Sequence, residues 1–121
     1  MGAENRKEKM EAVLTQMFGT PDPTDGEIND EILGTAMEFC FGEVWSRPGL
    51  AMRDRSLIVI TLLLYRGADA ELRHHIKGGL RNGLTKEEIK EAMLQVCFYG
   101  GGPTLGHGWG IAKEVFEEMG V

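Results

Sequence analysis

A chain of 121 residues, 42% hydrophobic and 26% charged, suits one soluble globular domain with a real core. Its net charge of −6 and its lack of any Lys/Arg-rich block exclude a nucleic-acid footprint, yet leave room for a local cationic pocket. The longest apolar run, residues 57–64, is too short for a bilayer, and "MGAENRKEKM" has charges where a signal peptide needs an apolar run. A cytoplasmic protein with no membrane contact is therefore expected.

The spacing of Met10, Val13, Leu14 and Met17 predicts a helix over residues 5–17, stopped by Gly19. "TPDPTDGEIND" is rich in Pro, Gly and Asp and reads as loop. A second helix begins near Asp30, carries Ile32, Leu33, Ala36, Met37 and Cys40, and ends around Phe41. In "FGEVWSRPGLAMRDR" the pattern breaks, because Pro48 disfavours helix at Arg47. An extended connector there would point Glu43, Trp45 and Arg47 the same way. The third helix, residues 52–65, is apolar nearly all round ("LIVITLLL") and is expected to be buried in the core or in an assembly, with Gly67 as its stop.

Asp69 can cap a fourth helix that ends at Gly83. Thr85 and Glu88 form a capping box for a fifth, which buries Ile89, Met93, Val96 and Cys97. The run Gly100, Gly101, Gly102 breaks it, and Pro103 starts a sixth helix with Trp109, Ala112, Val115, Phe116 and Met119. The expectation is an all-α domain of about six helices.

Two of the three histidines are adjacent. His75 shares a face with Leu72, Ile76 and Gly79, whereas His74 projects about 100° away in line with Glu71, Gly78 and Arg81. Gly78 and Gly79 each weaken the helix by about 1 kcal/mol relative to alanine. They imply either a close helix neighbour or space for a small molecule. Adjacent histidines diverge and do not chelate one ion, and neither HExxH nor CxxC occurs, so no metal is expected. Cys40 and Cys97 are expected to be free, buried thiols.

"FGEVWSRPGL", "RDRSLIVI", "ELRHHIKGGLRNGLTKEEIKE" and "QVCFYGGGP", four motifs in register, resemble the carboxymuconolactone decarboxylase family, across about residues 32–118 of a single 1–121 domain. That family shares a superfamily with the alkylhydroperoxidase AhpD, so the resemblance implies an AhpD-like helical bundle. The peroxidase branch requires CxxCxxxH. Aligned on His75, its cysteine positions fall on Ala68 and Glu71, and its glutamate position on Ser56. Without vicinal thiols there is no disulfide cycle of that kind. "GGGPTLGHGWG" around His107 is less typical of the family.

The resemblance implies conversion of 4-carboxymuconolactone to 3-oxoadipate enol-lactone and CO₂, a step of aromatic catabolism, with no cofactor. The departing carboxylate leaves its electrons to the C=C and lactone carbonyl as a 2-oxyfuran anion. The protein has to hold carboxylates, stabilise oxyanion charge and deliver a proton. The catalytic candidates are Arg47 for a carboxylate, His75 as proton donor with a pKa near working pH, and Glu43 to orient His75 or carry the proton. Trp45, His74, Gly78, Gly79 and His107 are candidates for binding the small acidic substrate. A thiol-dependent antioxidant protein and a non-catalytic helical oligomer that binds small acids are the alternatives. Apolar surface on the third and sixth helices suggests a homo-oligomer, a trimer or hexamer.

Overall fold

The computed structural model describes residues 3–121, apart from the side chains of residues 3, 4 and 104. It is all-α: among the described residues there is no strand. Six α-helices follow in order, α1 (Ala3–Phe18), α2 (Glu31–Met37), α3 (Met52–Arg66), α4 (Asp69–Arg81), α5 (Lys86–Gly100) and α6 (Gly102–Met119). A short 3-10 turn, Glu27–Asn29, precedes α2. The chain forms two compact units, Met1–Ala51 and Met52–Val121.

In the first unit α1 buries Met10, Val13, Leu14 and Met17, the stripe expected from their spacing. Asp30 caps α2 by accepting from the backbone N–H groups of Ile32 and Leu33. The helix does not end at Phe41. It widens into a π-helical stretch, Glu38–Val44, closed by Trp45 N–H donating to the Cys40 carbonyl at 2.9 Å. The connector is therefore helical where an extended segment was expected, and Trp45 itself has helical dihedrals of −63° and −27°. The widened stretch packs against α1. A Cβ at Gly42 would lie 2.2 Å from the Arg6 carbonyl oxygen, so this crossing requires glycine. Across the same contact the Arg6 guanidinium pairs with Glu38 at 3.0 Å and lies 4.2 Å from the Phe39 ring centre.

In the second unit α4 packs on α3 and α6, and α5 packs on α3 and α6. Ile60, Leu64, Leu72, Ile76, Ile89, Met93, Ala112, Val115 and Phe116 form its core. Burying one such large aliphatic side chain contributes about 1.5–3 kcal/mol. The Thr85/Glu88 capping box is present at the start of α5. Gly67 and Gly83, both at positive φ, separate α3 from α4 and α4 from α5. Asp69 is the first residue of α4; Ala68 holds the cap position.

The third helix is not buried all round. Ser56, Ile60, Leu63 and Leu64 face inward, while Ile58 (54% exposed), Leu62 (53%) and Tyr65 (60%) face out. Three neighbouring helices cannot surround α3, so part of its "LIVITLLL" surface has no cover within the unit. On α5, Phe98 and Tyr99 are more than 80% exposed, and on the first unit Ile32 is 79% exposed.

Candidate functional site

Helix α4 is amphipathic, and its buried stripe of Leu72, Ile76 and Gly79 sets the direction of His75. His75 is half-buried, and its Nδ1 is out of reach of solvent. Burial pushes its pKa down to about 4, helped by the neighbouring His74; Glu71 pulls the other way. His75 is thus a neutral imidazole at neutral pH, not the group poised near working pH that its residue type alone suggested. His74 is exposed, diverging from His75 as their adjacency requires.

The two glycines have different surroundings. A Cβ at Gly79 would stand 2.9 Å from Ile60 Cδ1, 3.1 Å from Leu84 Cδ1 and 3.5 Å from Ser56 Cβ. The close approach of α3 therefore accounts for glycine at position 79. Gly78 is buried as well. Beneath them Ser56 is fully buried and accepts a hydrogen bond from Asn82 Nδ2 at 2.9 Å. This seals the polar hydroxyl into the helix contact instead of presenting it to a substrate.

His107 lies on α6, its Nε2 2.6 Å from Asp69 Oδ2. Asp69 and His107 border a cleft of about 370 Å³ together with Leu64, Arg66 and Leu72. Asp69 is six residues before His75, about 9 Å along the α4 axis and about 120° around it. The two histidines therefore serve different faces of the second unit. Sequence reasoning cast Asp69 only as a helix cap; a pair 38 residues apart left no local signal.

The remaining candidates belong to the first unit. Glu43 Oε2 accepts from Arg47 Nε at 3.1 Å, an i,i+4 pair with both side chains substantially exposed. Trp45 does not join them: it is buried and stacks on Phe41 with ring centres 5.9 Å apart. An alternating extended backbone would have aligned all three residues; the helical turn puts Trp45 in the core and leaves Glu43 and Arg47 outside. Both cysteines are free thiols, but Cys40 is exposed and Cys97 only partly covered, so the expected burial does not hold. The positions aligned with the peroxidase thiols are the Ala68 cap and Glu71 in the first turn of α4. Among the described residues no three His, Cys, Asp or Glu side chains gather as a metal site, and no helix is long and apolar enough to cross a membrane.

Residues 30–114 match the Carboxymuconolactone decarboxylase family. The chain is 40% identical over 95 residues to the 4-carboxymuconolactone decarboxylase of Acinetobacter baylyi, covering 78% of this chain and 71% of that protein. It is 35% identical over 82 residues to nitrosuccinic acid decarboxylase npaB of Metarhizium robertsii, covering 68% of this chain and 57% of that one. An uncharacterized 15.0 kDa protein of Paracoccus denitrificans is 36% identical over 84 residues, 68% of this chain and 63% of its own length.

Proposed function

This chain belongs to the carboxymuconolactone decarboxylase family and is a carboxy-lyase, and we propose that it acts without a cofactor on 4-carboxymuconolactone or a related small lactone or oxo-acid. The observation that carries the reading is the likeness to two relatives named as decarboxylases of different acids. Their named substrates share one chemical feature. A carboxylate leaves a carbon whose electrons an acceptor within the molecule can take, the unsaturated lactone in one case and the nitro group in the other. Such a substrate carries its own electron sink. What remains for the protein is to bind carboxylate, steady the developing anion and manage one proton.

Arg47 is the proposed carboxylate ligand. Its ion pair with Glu43 is solvent-exposed, and pairs of that kind contribute at most about 1 kcal/mol, so a substrate carboxylate can compete for the guanidinium. Glu43 orients Arg47 in this reading, because Arg47 is the group it is bonded to. His75 enters the reaction neutral. A neutral imidazole N–H donates to a lactone oxygen as negative charge builds there. An anion held close by also raises the imidazole pKa, so His75 can take a proton from solvent and pass it to the ring carbon. His74, beside it and exposed, is at most a rim contact. Trp45 supports the turn that carries Glu43 and Arg47 through its stacking on Phe41. The proposal extends to a homo-oligomer, supported by the uncovered apolar side chains of α3 and α5.

The test is CO₂ release by the purified protein from 4-carboxymuconolactone and from a panel of small carboxylated lactones and oxo-acids. Release from at least one member, far above its spontaneous rate, is expected. Spontaneous rates throughout the panel would overturn the proposal.

A further inference from the structure

The cleft at the start of α4 has the makings of a binding site in its own right. Leu64 and Leu72, both fully buried core residues, give it an apolar floor, and Tyr65, Arg66, Asp69 and His107 stand around them. Its place is fixed by an absent side chain. A Cβ at Gly108 would sit 1.9 Å from Leu64 Cδ1, so glycine there lets α6 lie against the Leu64 side chain without displacing it. That approach sets the preceding residue, His107, against Asp69.

The contact also fixes the chemistry of the imidazole. An ionised carboxylate only accepts, so the proton between Nε2 and Asp69 Oδ2 belongs to the ring. In the neutral ring Nδ1 is then an acceptor. The His107 side chain is 66% exposed, which keeps Nδ1 within reach of a ligand. Asp69 is occupied by this bond, and its place in the first turn of α4 sets its charge against the positive end of the helix. Arg66 borders the same cleft and has no acidic partner among the described residues, whereas Arg6, Arg47, Arg53 and Arg73 are each paired with a glutamate.

We infer that this cleft binds a small hydroxycarboxylic acid, with the carboxylate on Arg66 and the hydroxyl donating to Nδ1 of His107. A cation, an apolar floor and one oriented acceptor select a ligand that has an anionic group and an O–H donor. The volume of about 370 Å³ lies at the small end of the range for ligand pockets and suits an acid of about four to six carbons with some retained water. The inference uses none of the decarboxylase chemistry. If position 107 serves only to tie α6 to α4, the cleft holds no ligand.

Calorimetric titration with L-malate, and with succinate as the analogue lacking the hydroxyl, reads the inference directly at about pH 8. Malate is expected to bind in the low-millimolar range or tighter. It should move the amide resonances of Gly67 and Gly108 but not that of Gly83, about 20 Å away along the α4 axis. One hydrogen bond corresponds to a preference for malate over succinate of about fivefold. His107→Phe should erase that preference, and Arg66→Gln should weaken both acids about tenfold or more. Absence of malate binding to the unaltered protein overturns the inference without recourse to any variant. So does a malate preference that survives in a folded His107→Phe protein, or a set of shifted amides that excludes Gly67 and Gly108. Because the readout is binding and not turnover, the result stands apart from the outcome of the CO₂ assay.

Discussion

Acidification should destabilise this protein through one residue before its carboxylates begin to titrate in number. His75 has an ordinary pKa of 6.5 and a folded-state value of about 4, because burial penalises the imidazolium. The folded state then binds fewer protons than the unfolded chain between those values, so stability falls as pH falls through that window and is level above it. With both values inserted, the loss attributable to His75 is about 2 kcal/mol at pH 5 and about 3 kcal/mol at pH 4, relative to pH 8. That is a large share of the 5–15 kcal/mol typical of a whole domain. The groups nearest in charge are His74, which deepens the depression, and Glu71, which opposes it. Urea unfolding at half-unit pH intervals for the unaltered protein and for His75→Gln isolates the term, since the variant keeps every other titrating group. The difference between the two stability curves should open below pH 6.5 and reach about 3 kcal/mol near pH 4. Parallel curves over this range, or a His75 resonance titrating at 6 or above in the folded protein, would refute the reasoning.

In the CO₂ assay, His75→Ala or Arg47→Ala should lower turnover by a factor on the order of 10², the scale of losing proton-transfer help, with His74→Ala costing far less; equal small effects at all three would remove His75 from the chemistry. Gly42→Ala should destabilise by about 2 kcal/mol or more, measured by thermal unfolding. The added Cβ meets the Arg6 carbonyl at 2.2 Å, and alanine's helix advantage of about 1 kcal/mol does not offset backbone overlap. Light scattering at micromolar concentration should show an oligomer, and Phe98→Asp, placed on a residue 82% exposed, should shift it towards the monomer of 13.4 kDa; a fully active monomer of the unaltered chain would defeat the assembly proposal. Hydroperoxide reduction should be absent at enzymatic rates, since Ala68 and Glu71 replace the paired thiols; Cys-dependent turnover would contradict this.

What the sequence determined by itself is what neighbours within about four residues decide. The Thr85/Glu88 box, the start of α2 near Asp30, the stops at Gly67 and Gly83, and the Met10–Val13–Leu14–Met17 stripe all follow from capping chemistry, positive φ and the 3.6-residue period. Four motifs in order also sufficed for the family, which the match over residues 30–114 bears out. Tertiary structure decided the rest. Pro48 marked a break near Arg47, but the crossing of Gly42 over the Arg6 carbonyl and the stacking of Phe41 on Trp45 accompany a helix widened through Val44, which turns Trp45 inward and Glu43 outward. Gly79 announced a close approach without saying whether a helix or a ligand made it; Ile60 and Ser56 supply the answer. The pKa of His75 is set by how much water its neighbours exclude, and the Asp69–His107 bond joins residues 38 positions apart. Both are sums over side chains distant in sequence, and periodicity records only the face a residue takes, not what the fold places against it.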